Sequence, residues 1–363
     1  MLARSGLQQV ARRAEEVRTP GAQFADVQRM IVVRHDRLGD LVLTLPAVDA
    51  LRHAYPVASL GLMVRPDLAP LARQVPGVDQ VLVAHADRRR LREEIAAFGA
   101  DLIVCISRGA GISRVAARAH VRHRVGTGYR MFSPLFTRTV SERRRAGGRH
   151  ELEYALSFAH RCGAPGGAAT FPLAVPRATE ESIAAWLAAR GVRRPFVVLH
   201  PGSGGSCPRW PVRHFIELAA ALVAQGRTVV FTIGPEDGWC TEVLNSSRSL
   251  VRDLPRYDGG LERLPALLRA AGLVVSNSTG PLHLAAALGT PTLGIYAPWD
   301  SCGVTRWGPY AANGWAITAH DAAARNWSRR ERQRSGGQLL AAVPPAAVAR
   351  AVVALVDDRG PDL

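Results

Sequence analysis

Apolar residues along the chain gather in two kinds of pattern. Short β-branched runs, Met30–Arg34, Ser59–Val64, Gln80–Val83, Asp101–Ile106 and Arg124–Gly126, read as strands. Between them apolar positions recur every three or four residues. Leu41, Leu45, Val48 and Leu51 share one helical face, and Leu68–Gln74 and Leu91–Phe98 read the same way. Alternation of strand and helix predicts a parallel sheet with helices on both faces. Residues 130–150 break the rhythm with a basic, Gly-containing stretch that reads as a surface loop or short edge element. A helix Glu151–Cys162 follows, and Gly163–Pro176 has the composition of a linker.

A second alternation starts at Arg194. It runs through strand Phe196–Leu199, helix Val212–Gln225, strand Thr228–Ile233, helix Cys240–Ser246 and helix Leu264–Ala271. Val274–Pro291 comes next: an apolar strand end, a small polar turn, Thr279 placed to cap a helix, Pro281 in the first turn, and Gly289 as the stop. Thr292–Tyr296 is another strand, the charged run Arg325–Arg334 a solvated face, and Pro345–Val356 a final apolar helix. Residues 1–27, rich in Arg and Glu, read as a helical N-terminal extension. The expected architecture is α/β, with two doubly wound Rossmann-like domains at 28–170 and 171–363 facing across a cleft. The last helix is open to packing back on the first domain. Ligands in such sheets bind at the carboxyl ends of the strands. The turn before Gly280 is an anion site in waiting, since free N–H groups and the helix dipole act together there.

Composition narrows the chemistry. The chain has 363 residues, too many for one ordinary core, and at 47% hydrophobic and 21% charged it is globular. It contains no lysine, so its +16 charge is carried by arginine. A Walker-type phosphate lysine and a Schiff-base lysine are therefore excluded. The basic excess suits acidic partners: a phosphorylated glycolipid, an anionic membrane face or nucleic acid. With aromatics at 6% and no recognisable module, nucleic acid is not expected. No apolar run reaches the roughly 18 residues of a membrane span, and the N-terminus lacks a signal-peptide core, so a cytoplasmic protein is expected. Its charge permits peripheral contact with the inner membrane. Five scattered cysteines without a C-x-x-C pair predict buried free thiols rather than a disulfide framework or zinc knuckle. No Asp-x-Asp pair occurs, so no metal-bridged diphosphate, and no other cofactor, is expected.

Several residues sit where chemistry would be done. Gly202, Ser203, Gly204 and Gly205 make a flexible turn after a strand, suited to backbone contacts with phosphate. It is not a G-x-G-x-x-G fingerprint, so NAD is not indicated. Asp40 stands in a strand-to-helix turn, either as a helix cap or as a reactive carboxylate.

Three stretches together, Ile31–Pro56 (IVVRHDRLGDLVLTLPAVDALRHAYP), Val197–Ala219 (VVLHPGSGGSCPRWPVRHFIELA) and Val274–Asp300 with Arg306–Pro309, resemble glycosyltransferase family 9, the bacterial heptosyltransferases. A weaker match is Arg149-His150-Glu151. The resemblance covers roughly residues 29–356. It implies a GT-B fold, a nucleotide-sugar donor (usually ADP-heptose) on the C-terminal half, an acceptor such as a Kdo-bearing lipid A core on the N-terminal half, and inversion at the anomeric carbon. By that likeness Asp40 is the general base. Gly202, Ser203, Gly204, Arg209, Ser278, Thr279, Gly280 and His283 hold the donor, and Glu236 lies where a ribose is expected. Arg37, Arg130, Arg138 and Arg143–Arg145 are candidate acceptor-phosphate contacts. The chain departs from the family pattern twice: Pro208 replaces a lysine two places before Trp210, and Ser278 replaces an aspartate before Thr279. The two departures also fit a degenerate sugar-nucleotide binding module. The acceptor stays open between a surface glycan, a protein hydroxyl and a small metabolite.

Overall fold

The architecture comes from a computed structural model that describes residues 2–4, 23–107, 109–141, 148–166, 169–205, 207–247, 249–299, 301–319 and 327–357. They form two compact units, one within Gln8–Ala174 and one within Met1–Leu7 and Val175–Leu363.

Strands are numbered along the chain, β1 being Leu2–Arg4. The first unit holds β2 (Arg29–Val33), β3 (Ser59–Val64), β4 (Gln80–Val83), β5 (Leu102–Cys105), β6 (His123–Thr127) and β7 (Arg138–Val140). They lie in the order β4-β3-β2-β5-β6-β7, every pair parallel. From β2 the chain moves outward through β3 and β4, then returns to β5 on the other side. The carboxyl ends of β2 and β5 are therefore the topological switch point, where such sheets bind ligands. Ile31, Val33, Ile103 and Cys105 are buried against Leu91, Ile95 and Phe98 of helix Arg88–Phe98. Burial of each such side chain is worth about 1.5–3 kcal/mol.

The second unit holds β8 (Phe196–His200), β9 (Thr228–Thr232), β10 (Arg256–Tyr257), β11 (Leu273–Asn277), β12 (Thr292–Tyr296) and β13 (Gly314–Thr318). Its order is β1-β13-β12-β11-β8-β9-β10, parallel except for β1. Here the switch point lies between β8 and β11. All five residues of β8, β11 and β12 are buried, which is why these strands read as unbroken apolar runs.

Two expectations are corrected. The N-terminal extension, expected as helix, instead holds an edge strand at Leu2–Arg4, antiparallel to β13; residues 5–22 lie outside the described residues, as do Arg143–Arg145. The final helix, Pro345–Asp357, places Val348, Val352 and Leu355 in its own unit's core beside helix Val212–Ala224. The cysteines are not all free. Cys207 and Cys302 form a disulfide with Cα atoms 5.8 Å apart, across 95 residues of sequence. Parallel topology brings the ends of β8 and β12 to the same edge with only β11 between them, which spacing in sequence does not reveal. Cys105, Cys162 and Cys240 are free and buried, and burial pushes their thiols up to about 12.

Candidate active site

The turn after β2 carries a buried arginine that the motif reading passed over. Arg34 is only 2% exposed. Its Nη2 donates to Asp40 Oδ1 and to Glu151 Oε1 at 3.3 Å, and its Nη1 donates to the Ile106 carbonyl at 3.4 Å. Asp36 Oδ2 lies 3.2 Å from Nε, close enough for an ion pair, but among the described residues Nε makes no hydrogen bond. Burial works against the guanidinium charge, yet Asp40, Asp36 and Glu151 outweigh it and raise the Arg34 pKa.

Local structure explains the cluster. β2 ends at Val33, so Arg34 lies at the switch point, with Ile106 and Ser107 following β5 beside it. The turn is tied down where His35 N donates to Ser107 Oγ at 3.0 Å. Helix Glu151–Arg161 starts with a capping box: His150 Nδ1 accepts from Leu152 N at 3.2 Å, and His150 N donates to Glu153 Oε2 at 2.8 Å. That start fixes Glu151 at the first helical position, 2% exposed and against Arg34. Asp40 lies inside the short helix Leu38–Val42, not at its cap; the cap position is Arg37. The Asp40 side chain is 19% exposed, and among the described residues nothing donates to its Oδ2.

In the second unit two adjacent loops converge. The loop after β8 carries Gly202, Ser203 and Gly204; the one after β11 carries Ser278, Thr279 and Gly280. Asn277 joins them, accepting from Trp210 N at 2.7 Å and donating to the Pro201 carbonyl at 3.2 Å. A side chain at position 202 would displace Asp237, since a Cβ there would fall 2.0 Å from Asp237 Oδ2. Asp237 in turn accepts from Ser203 N at 3.1 Å. So Asp237, 6% exposed, shapes the loop, while the singled-out neighbour Glu236 is exposed on the turn. Arg209 is exposed with its guanidinium carbon 3.9 Å from the Trp239 ring centroid, a cation–π contact at the edge of the same loops.

Thr279 takes the cap position of helix Gly280–Ala287 with extended backbone, but its hydroxyl bonds Ser276 Oγ at 2.7 Å instead of capping. The expected side-chain cap is thus absent. Competition from Ser276, inside β11, explains it, and the first N–H groups of the helix have no side-chain cap from Thr279. Gly289, at φ +78°, ends that helix as expected. His283 is 3% exposed, its ring 6.1 Å from that of Trp307.

The acceptor-side arginines are not gathered equally. Arg37 is exposed on the same turn as Asp40. Arg130 is exposed after β6, its guanidinium carbon 5.3 Å from the Tyr129 ring centroid. Arg138 sits on the outer strand β7, three strands from β2, roughly 14 Å away at normal strand spacing, so it does not join Asp40. Among the described residues no group of three or more His, Cys, Asp and Glu side chains is placed to hold a metal.

Residues 88–335 match the sequence model of glycosyltransferase family 9 (heptosyltransferase). The chain belongs to glycosyltransferase family 9. It is 24% identical over 328 residues to lipopolysaccharide heptosyltransferase 3 of Escherichia coli, covering 86% of this chain and 95% of that one. The structure of a family 9 glycosyltransferase from Veillonella parvula matches with a TM-score of 0.79 at 20% identity, over 91% of this chain and 98% of that chain. That of E. coli ADP-heptose lipopolysaccharide heptosyltransferase II matches at 0.74 and 20%, over 91% and 99%. The fold is GT-B, and the protein is a glycosyltransferase. In this family 9 chain the two departures stand as the sequence has them: the Pro208 ring is what a Cβ at Gly336 would meet, at 2.6 Å, and Ser278 is the first residue after β11.

His200, at the end of β8, is 4% exposed, with Nδ1 3.0 Å from Thr232 Oγ1. Burial lowers its pKa below the usual 6.5, against the pull of Asp237 and Thr232. The unfolded chain therefore binds a proton near pH 6.5 that the folded chain refuses. Stability is full above that pH and falls as pH drops below it, by at most about 1.4 kcal/mol per pH unit for this group. The expected result is a melting temperature that falls between pH 7 and pH 5, with a shallower fall in His200→Gln. Equal slopes in the two proteins would remove His200 from this role.

Proposed function

We propose that this enzyme is an inverting transferase that moves heptose from ADP-heptose to a hydroxyl of a lipopolysaccharide core acceptor. It would work in the cytoplasm, peripheral to the anionic inner face of the membrane. The observation that carries this reading is Asp40 at a strand-end switch point, with one carboxylate oxygen held by Arg34 and the other open. In the proposed step Asp40 takes the acceptor hydroxyl's proton as the acceptor oxygen bonds the anomeric carbon. The bond from that carbon to the donor diphosphate breaks, and ADP leaves. Backbone N–H groups of the Gly202–Gly204 loop and of the Gly280 helix start, with Arg209 and His283, would take up the leaving charge. Arg37 and Arg130 would meet acceptor phosphates.

Support for the donor comes from the relatives. The E. coli structure above is named for ADP-heptose, and the curated relative for lipopolysaccharide heptosyl transfer. A thermal-shift panel of ADP, ADP-heptose, UDP-glucose and GDP-mannose tests it. ADP and ADP-heptose should raise the melting temperature, since a ligand at 100 times its Kd stabilises by about 2.7 kcal/mol. A shift from UDP-glucose or GDP-mannose alone would overturn the donor assignment. Release of ADP with a Kdo-bearing lipid A core as acceptor then tests transfer.

A further inference from the structure

We propose that Arg34 is the positioning residue for Asp40 and Glu151 its permanent counter-ion, so that one guanidinium fixes Asp40 Oδ1 and leaves Oδ2 to receive the acceptor's proton. This rests on the reading of Asp40 as the base.

A carboxylate on a short side chain can rotate, and a base that rotates loses alignment with the hydroxyl it must deprotonate. The Arg34 Nη2 bond to Oδ1 restrains that rotation by holding one carboxylate oxygen in place. Arginine suits the task because it keeps its proton throughout and offers several donors in a rigid fork. It therefore orients Asp40 without competing for the transferred proton. Its Nη1 bond to the Ile106 carbonyl ties that fork to the end of β5.

Glu151 answers a second need. As the proton moves from the acceptor oxygen to Asp40 Oδ2, the new acceptor–sugar bond forms, the sugar–diphosphate bond breaks, and Asp40 becomes neutral. Were Asp40 the sole partner of Arg34, that step would leave a buried cation uncompensated, which is strongly unfavourable. Glu151, 2% exposed and 3.3 Å from Nη2, remains to balance it, with Asp36 at 3.2 Å from Nε. The guanidinium stays paired before and after transfer. The other ionisable groups on the elements meeting here, among the described residues, are His35 and Arg37 on the turn and Arg149, His150 and Glu153 at the helix start. Arg108 and Arg143–Arg145 lie outside the described residues.

The test uses full-length Arg34→Lys, Glu151→Gln and Asp40→Asn, with ADP-heptose as donor and Kdo-bearing lipid A core as acceptor. In Arg34→Lys, kcat should fall about 100-fold through misalignment while donor KM stays within about twofold. In Glu151→Gln the carboxylate that competes for Arg34 is gone and ionised Asp40 is favoured. The acidic limb of the kcat–pH profile should move to lower pH, and kcat on the plateau should drop. A role confined to stability would lower the melting temperature and leave that limb in place. The proposal fails if Glu151→Gln keeps the wild-type limb while Asp40→Asn is inactive. That readout also decides the matter if Arg34→Lys does not fold. Activity in Asp40→Asn would instead remove the underlying reading of the base.

Discussion

Asp40→Asn should fold normally and lose about 10²–10⁴-fold in kcat for sugar transfer. The amide keeps the shape of the carboxylate and can still accept from Arg34, whose charge retains Asp36 and Glu151. What it cannot do is take a proton in the transition state. Donor binding should hardly change, because Asp40 lies in the first unit and the candidate donor loops follow β8 and β11 of the second. The pattern to look for is a melting temperature within a degree or two of wild type, an unchanged ADP-heptose thermal shift and a collapsed turnover number. Turnover within about tenfold of wild type would show that another group takes the proton.

Trp210→Ala should destabilise the chain by about 3–5 kcal/mol, the range for emptying a fully buried aromatic site. Trp210 is 0% exposed and lies 4.7 Å, centroid to centroid, from the ring of Phe215. Its Nε1 donates to the Val343 carbonyl at 2.9 Å, tying the end of the β8 loop to the connection before the final helix. Truncation opens a cavity and strips that carbonyl of its donor. It also loosens the loop that carries Gly202–Gly204, so donor KM should rise in protein that still folds. Urea denaturation measures the first effect. Trp210→Phe separates the two, since it keeps most of the volume and loses only the indole donor, for about 1–3 kcal/mol. A loss under about 1 kcal/mol for the alanine variant would mean that Trp210 is not the anchor its burial indicates.

The disulfide shows how contact depends on topology. Cys207 and Cys302 are 95 residues apart and share no motif, yet both follow strands that end at the same sheet edge. Asp237 is a similar case: in sequence it is one of two acidic neighbours on a turn, and nothing distinguishes it from Glu236. Only the fold turns it inward, against Gly202 and Ser203 N. Leu2–Arg4 departs from the expected N-terminal helix for the opposite reason. The free edge of β13 recruits it, and the gain from strand pairing overrides a weak local preference; the Arg- and Glu-rich stretch that suits a helix lies outside the described residues.

The amino-acid sequence alone determined the two-domain α/β architecture, most of its strands and helices, and the placing of Asp40, the Gly202–Gly204 turn and Thr279–Gly280 on the segments that follow β2, β8 and β11. These follow from local periodicity and from glycines and small polar residues placed where strands must turn, all of which are legible within a few residues. The tertiary structure decided which distant groups share one charge or one loop. Arg34 reads as the last residue of an apolar strand, and Glu151, 117 positions later, as an ordinary helix start. Only parallel packing brings them together at the switch point. Burial then makes the pairing of Arg34 with Asp40 and Glu151 obligatory, because a charge taken out of water has to find its partner within the protein.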